Sequence, residues 1–172
     1  MHIAILGNSG SGKSTLAKWL ASRSDAAVLD LDTVAWVPGQ IAVPRDPAEA
    51  ADDVHTFCCA HSDWVIEGCY ASLIRATFEF QPRLLFLNPG KQRCMENCRS
   101  RPWEPHKYPS KEEQDKRLAF LLSWVEEYYI RSGEMSLQGH RAAYADYHGP
   151  KNELTGVPQL DPPSAEILSW LK

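Results

Sequence analysis

Eight consecutive residues restrict what this chain can fold into more than any other segment. Gly7-Asn8-Ser9-Gly10-Ser11-Gly12-Lys13-Ser14 satisfies the pattern G-x-x-x-x-G-K-[ST] at every fixed position. A short, mostly apolar run from His2 to Leu6 precedes it, and Leu16 to Leu20 follows with helical spacing from Thr15 onward. The order is strand, loop, helix, which is the context in which the pattern acts. Glycines at 7, 10 and 12 let the backbone turn so that successive amides converge on phosphate oxygens, while the helix N-terminus adds partial positive charge. Lys13 supplies a mobile cation for the transferring phosphates, and Ser14 offers a hydroxyl to a Mg²⁺ ion that bridges the terminal ones. Residues Gly7 to Thr15 are therefore expected to bind ATP with Mg²⁺.

Further strands are expected at Ala27 to Leu31, Trp64 to Ile66, Arg83 to Asn88 and Asn152 to Thr155. Between them lie helix signals. Asp46-Pro47-Ala48-Glu49 combines an N-cap acid with Pro at the first helical position, and this helix should reach about His61. Lys91 to Ser100 reads as helix until Pro102, Pro105 and Pro109 force an irregular excursion. Ser110-Lys111-Glu112-Glu113 is a capping box; Leu118, Leu121, Leu122, Val125 and Tyr128 then predict one amphipathic helix of about five turns. Ser136 to Tyr147 predicts a weaker helix, and Asp161-Pro162 is expected to cap a terminal one carrying Ile167, Leu168 and Leu171. Strands alternating with helices imply an α/β fold, a parallel sheet covered on both faces, with the ligand off the carboxyl ends of the strands.

A net charge of −4 over 172 residues argues against a protein that grips nucleic acid as its main business. The charge is uneven, since Lys91 to Arg117 holds eight Lys or Arg against five acids. No apolar run approaches the length of a bilayer span, so no membrane partner is expected, and Met1 leads straight into the first strand without a leader-like segment, making the cytoplasm the expected compartment. The five cysteines are odd in number and include the vicinal pair Cys58-Cys59, which suggests reduced thiols rather than a disulfide framework. Cys58-Cys59 with His61, and Cys94 with Cys98, lack zinc spacing. Oligomeric state is left open.

Motors and switches built on such loops carry an acid at the end of a buried strand, but the best such strand here ends at Asn88, and no Asn-Lys-x-Asp motif for guanine is present. Acids appear instead at Asp30 and Asp32, flanking Leu31 where the second strand ends. One suits Mg²⁺ held through water, the other a general base or anchor for a hydroxyl acceptor.

These features together resemble the small kinases related to adenylate and shikimate kinases. The resemblance rests on the N-terminal phosphate loop, Asp30-x-Asp32, Trp64-Val65-Ile66-Glu67-Gly68-Cys69-Tyr70 on the third strand, and Arg99-Ser100-Arg101-Pro102. Leu31-Asp32 with Trp36-x-Pro38-Gly39, Pro44-Arg45 and Glu67-Gly68-x-Tyr70 is closer still to the subgroup known as DNA topology modulation proteins or adenylate-kinase-like enzymes. It covers roughly residues 1 to 131. The resemblance implies a three-layer P-loop NTPase fold with five parallel strands in the order 2-3-1-4-5 and a helical lid, the whole chain forming one kinase domain with its lid excursion at about 99–112. It also implies an acceptor site using Asp32, Trp36, Arg45, Glu67, Gly68 and Tyr70, metal positioning by Ser14, Asp30 and Asp32, and catalysis by Lys13, Asp32, Arg99 and Arg101. Fixed guanidinium charge suits the equatorial oxygens of a transferring phosphoryl group, and His106 and Lys107 could join on closure. The function expected is transfer of the γ-phosphoryl group from ATP to a small acceptor, whether a nucleotide, a nucleoside or a polyol-like metabolite. Two rivals stand beside it: an ATP-binding regulator associated with nucleic acid, and a hydrolytic NTPase.

Overall fold

The computed structural model describes residues 1–37, 43–104 and 108–171. Pro38 and Gly39 of the Trp36 motif, and Pro105, His106 and Lys107 of the expected lid, lie outside the described residues.

The chain begins with β1 (His2–Gly7) and α1 (Lys13–Ser24), followed by β2 (Ala27–Asp30), α2 (Asp32–Ala35), α3 (Pro47–Ala60) and β3 (Trp64–Gly68). A short α4 (Ala71–Arg75) and a 3-10 turn at Phe78–Phe80 lead to β4 (Arg83–Leu87) and α5 (Lys91–Arg99). Then come α6 (Lys111–Lys116), α7 (Leu118–Glu127), α8 (Leu137–Asp146), β5 (Lys151–Leu154) and α9 (Ala165–Ser169). The strands form one parallel five-stranded sheet in the order β2-β3-β1-β4-β5, as the resemblance implies.

Period-2 alternation in the central strands sends side chains to two cores. Ala4, Leu6, Trp64, Ile66, Leu84 and Phe86 face α3, α4 and α8, which contribute Val54, Ile74 and Ala143. Their neighbours Ile3, Ile5, Val65, Leu85 and Leu87 face α1 and α9, which contribute Leu16, Leu20, Ile167 and Trp170. Both faces are apolar because both are covered. The sheet is therefore a rigid plate whose carboxyl edge carries the chemistry-bearing residues.

Three local expectations change. The helix expected after Ser110 is interrupted at Arg117, whose φ of −90° and ψ of −4° separate α6 from α7. The α6 sequence is polar on every side, whereas α7 packs Val125 against Cys94 and Cys98 of α5, so only the second half follows a core. The terminal helix is capped by Ser164, whose hydroxyl accepts from the Ile167 amide, rather than by Asp161-Pro162. Beginning there, the helix buries Ile167 and Trp170 and leaves Leu168 facing out. The short helices α2 and α4 have no counterpart in the sequence reading, since each is a single turn set by its tertiary neighbours.

Candidate active site

The phosphate loop joins β1 to α1 through two left-handed glycines, Gly10 at φ 75° and Gly12 at φ 97°. Gly10 is doubly constrained, because a Cβ there would lie 2.2 Å from the Cys94 carbonyl oxygen of α5. The Asn97 side chain of α5 donates to the Gly10 carbonyl at 2.8 Å. On the other side, Asn8 is almost wholly buried; its Oδ1 accepts from the Ser9 amide at 2.8 Å and its Nδ2 donates to the Val125 carbonyl of α7 at 3.0 Å. The loop is thus bonded to the helices on both sides of the expected lid.

The loop's polar groups point toward an anion. No side chain caps α1, so its first-turn amides are available for phosphate oxygens. The buried Ser11 hydroxyl has no hydrogen-bond partner among the described residues. Lys13 is 9% exposed and donates from Nζ to the Asn8 carbonyl at 3.0 Å, which folds the ammonium back over the loop.

Ser14 Oγ donates to Glu67 Oε1 at 2.5 Å. Glu67 lies one residue before the end of β3, buried in register with Asp30 of β2 and Ile5 of β1. Burial pushes its carboxyl above the usual range; the Lys13 charge opposes this, Asp30 raises it further, the Ser14 hydrogen bond lowers it, and Asp32 adds a smaller upward push. An oxygen-rich, negatively charged corner beside the Ser14 hydroxyl fits Mg²⁺, a hard cation that takes few protein ligands and keeps phosphate and water oxygens for the rest. Among the described residues no group of three or more His, Cys, Asp or Glu is placed to hold a metal ion.

The two aspartates take part in different hydrogen bonds. Asp30 Oδ1 accepts from the Asp32 amide at 3.0 Å and its carbonyl accepts from Thr33 Oγ1 at 2.7 Å, so it seats the start of α2. Asp32 Oδ1 accepts from the Tyr70 hydroxyl at 2.7 Å, and that hydroxyl in turn accepts from Trp36 Nε1 at 2.7 Å. The rings of Trp36 and Tyr70 meet edge to face with centroids 6.2 Å apart. Gly68 allows the close approach of β3 to this turn, since a Cβ there would meet the Leu31 side chain at 2.7 Å. Arg45 belongs to a different network: it pairs with Asp53 of α3, donates to the Val34 carbonyl and reaches Glu49 at 3.9 Å.

Cys69, between Gly68 and Tyr70, is held by a buried relay. Its carbonyl accepts from His140 Nε2 at 2.8 Å, and His140 Nδ1 accepts from the Tyr128 hydroxyl at 2.8 Å. Burial lowers the His140 pKa from 6.5 to about 4; the Cys69 hydrogen bond opposes the shift, and the Lys13 and Arg131 charges reinforce it. The imidazole is neutral, with its proton assigned to Nε2 by these partners.

A cleft of about 500 Å³ opens over the loop and the N-terminus of α1. Gly10, Lys13, Ser14 and Thr15 form its floor, with Lys18 beyond them. Asn97, Arg101 and Trp103 line one side, and Val157, Pro158 and Leu160 the far wall. Arg101 faces this cleft and pairs with Glu104 at 3.1 Å. Exposed Arg99 does not line the cleft; it borders a recess of about 20 Å³ shared with Arg101, Tyr108 and Arg117, space for little more than a water. The sequence reading did not include Lys18, Asn97, Trp103 or the 157–160 wall. The wall had one signal: it follows β5, and ligands in such sheets lie off the carboxyl ends of strands.

With this geometry in hand, the class is that of the P-loop kinase fold. A sugar kinase from Janibacter sp. HTCC2649 matches with a TM-score of 0.55 at 13% identity, over 99% of this chain and 93% of its own. A shikimate kinase from Bacteroides thetaiotaomicron gives 0.53 at 16% identity, over 98% and 93%. A deoxyadenosine kinase from M. mycoides gives 0.52 at 12% identity, over 99% of both chains. No protein-family model matches the chain, and no curated protein matches it by sequence. Among the described residues no helix is long and apolar enough to cross a membrane.

Proposed function

We propose that this chain is a Mg²⁺-dependent phosphotransferase that moves the γ-phosphoryl group of ATP to a small acceptor seated over β2 and β3. The observation that carries the proposal is one continuous arrangement: Lys13 and Ser14 on the loop, Glu67 bonded to Ser14, and Asp32 held by Tyr70 beside them. The fold's likeness to sugar, shikimate and deoxyadenosine kinases supports the reaction class. The resemblance to the DNA topology modulation subgroup supports the acceptor side, because Asp32, Trp36 and Tyr70 come from its motifs.

In this reading the triphosphate lies on the loop amides and the first turn of α1, with its nucleoside in the cleft between Trp103 and the Val157–Pro158 wall. Bound Mg²⁺ supplies charge neutralisation between the terminal phosphates. Ser14, with Glu67 and Asp30 behind it, would hold that ion. Lys13 leaves the Asn8 carbonyl to meet the transferring group, and Arg101 adds a guanidinium from the lid side of the same cleft; Arg99 has the weaker geometric case. Asp32 orients the acceptor hydroxyl and takes its proton, and the Tyr70 hydrogen bond fixes the carboxylate for that task. Incubation of a cellular metabolite pool with γ-labelled ATP tests this reading. A labelled small product should form with wild type and be lost with Lys13→Ala and Asp32→Asn; a product that survives both substitutions overturns the assignment.

A further inference from the structure

Trp103 and Val157 are large apolar side chains that the fold leaves uncovered, 45% and 52% exposed, and both line the cleft over the phosphate loop. Apolar surface left open beside a cleft marks a place where a group of the same character docks. The Trp103 ring is held in place there: its Nε1 donates to the Tyr108 carbonyl at 3.0 Å. That N–H lies in the plane of the indole, so the bond ties down one edge of the ring and uses neither face. Pro158 and Leu160 continue the wall that Val157 begins, and Pro158 has no amide hydrogen to offer a ligand.

The polar side chains of the same cleft are engaged elsewhere. Asn97 donates to the Gly10 carbonyl at 2.8 Å and Ser100 Oγ to the Glu96 carbonyl at 3.0 Å. Arg101, assigned above to the transferring group, pairs with Glu104 at 3.1 Å. Thr15 and Lys18 lie one turn apart on the same side of α1, directly after Ser14, where they serve the phosphates. Among the described residues the cleft therefore offers a nucleobase an aromatic face and an apolar wall, and no side-chain amide or carboxylate that is not already bonded to the protein.

Resting on the phosphotransferase reading above, we infer that the donor is recognised by the faces of its base and not by its edge: Trp103 stacks on one face, Val157 and Pro158 cover the other, and purine nucleoside triphosphates with amino or oxo edges, ATP and GTP alike, serve as phosphoryl donors. Stacking on an aromatic side chain tolerates any base, because every base has a π-face. A site that hydrogen-bonds the edge instead rejects the wrong partner by about ten-thousandfold. The cleft, at about 500 Å³, has room for a purine nucleoside.

The test is calorimetric titration of the full chain with Mg²⁺ and, in turn, ATP, GTP, CTP and inorganic tripolyphosphate, using wild type, Trp103→Ala and Trp103→Phe. ATP and GTP should bind within about tenfold of each other, and CTP, with one ring to stack instead of two, more weakly than either. Trp103→Ala should weaken ATP and GTP together by about ten- to a hundredfold, and Trp103→Phe should retain most of the affinity. Tripolyphosphate has no base, so its affinity should be the same in all three proteins. A larger preference between ATP and GTP, in either direction, overturns recognition by faces alone. CTP bound as tightly as ATP, or ATP affinity unchanged in Trp103→Ala, overturns the stack. Parallel loss of ATP and tripolyphosphate in that variant also overturns it, since Trp103 would then be supporting the loop. Wild type that binds none of the four overturns the phosphotransferase reading itself.

Discussion

Acidification from about pH 7.5 to about pH 5 protonates an ordinary histidine but leaves His140 neutral, and this difference becomes a stability change that can be worked out in advance. The imidazole is buried between the Tyr128 hydroxyl and the Cys69 carbonyl, and its pKa falls from 6.5 to about 4. Between those two values the unfolded chain binds a proton that the folded chain refuses. The sign follows: the contribution is complete above the unfolded value and drains away as pH falls toward the folded one. Integrated over the stated range, linkage gives a loss of about 2 kcal/mol from this one residue. The assay is urea unfolding across that range for wild type and His140→Gln, whose amide can keep the bond to Cys69 but cannot titrate. Other groups titrate in both proteins and cancel in the comparison. The wild-type advantage over the variant should shrink by about 2 kcal/mol on acidification, and parallel stability curves would refute the buried, neutral relay.

Gly10→Ala must relieve both a left-handed φ and a contact with the Cys94 carbonyl, so ATP affinity measured by calorimetry should fall at least about a hundredfold. Asn8→Ala strands the Ser9 amide and the Val125 carbonyl and should cost about 2 kcal/mol of unfolding free energy, with a smaller gain on adding ATP than wild type shows in thermal denaturation. Tyr70→Phe keeps the ring but removes the link from Trp36 to Asp32; steady-state kinetics should show turnover reduced by about tenfold with the KM for ATP unchanged.

Much of the fold was legible because one motif carried so much of it. A strand ending in the phosphate loop and entering a helix places β1 and α1, and the strand order that the resemblance implies sets the runs at 64–66 and 83–88 on either side of β1. What escaped was whatever depends on tertiary partners. The single turns α2 and α4 have no periodicity to detect, and the break at Arg117 arises because α7 has a core to follow and α6 has none. The site divides in the same way. Lys13, Ser14, Asp30 and Asp32 could be picked from residue type and spacing, and Glu67 and Tyr70 from the family resemblance, but not that Glu67 bonds Ser14 or that Tyr70 holds Asp32. Nor could spacing separate Arg101, which lines both the cleft and the small recess beside it, from Arg99, which lines the recess and not the cleft. His140 reads in sequence as one more polar residue on a weak helix; its burial is what makes it part of the architecture behind Tyr70.

The central claim is that ATP is consumed by transfer to an acceptor and not by water. ADP release, followed with and without the acceptor identified from the labelled pool, tests this most directly. The arrangement of Lys13, Ser14, Glu67 and Asp32 predicts ADP formation in step with phosphorylated product, near background without acceptor, and lost in Lys13→Ala and Asp32→Asn. ADP formation at the same rate whether or not any acceptor is present would contradict it.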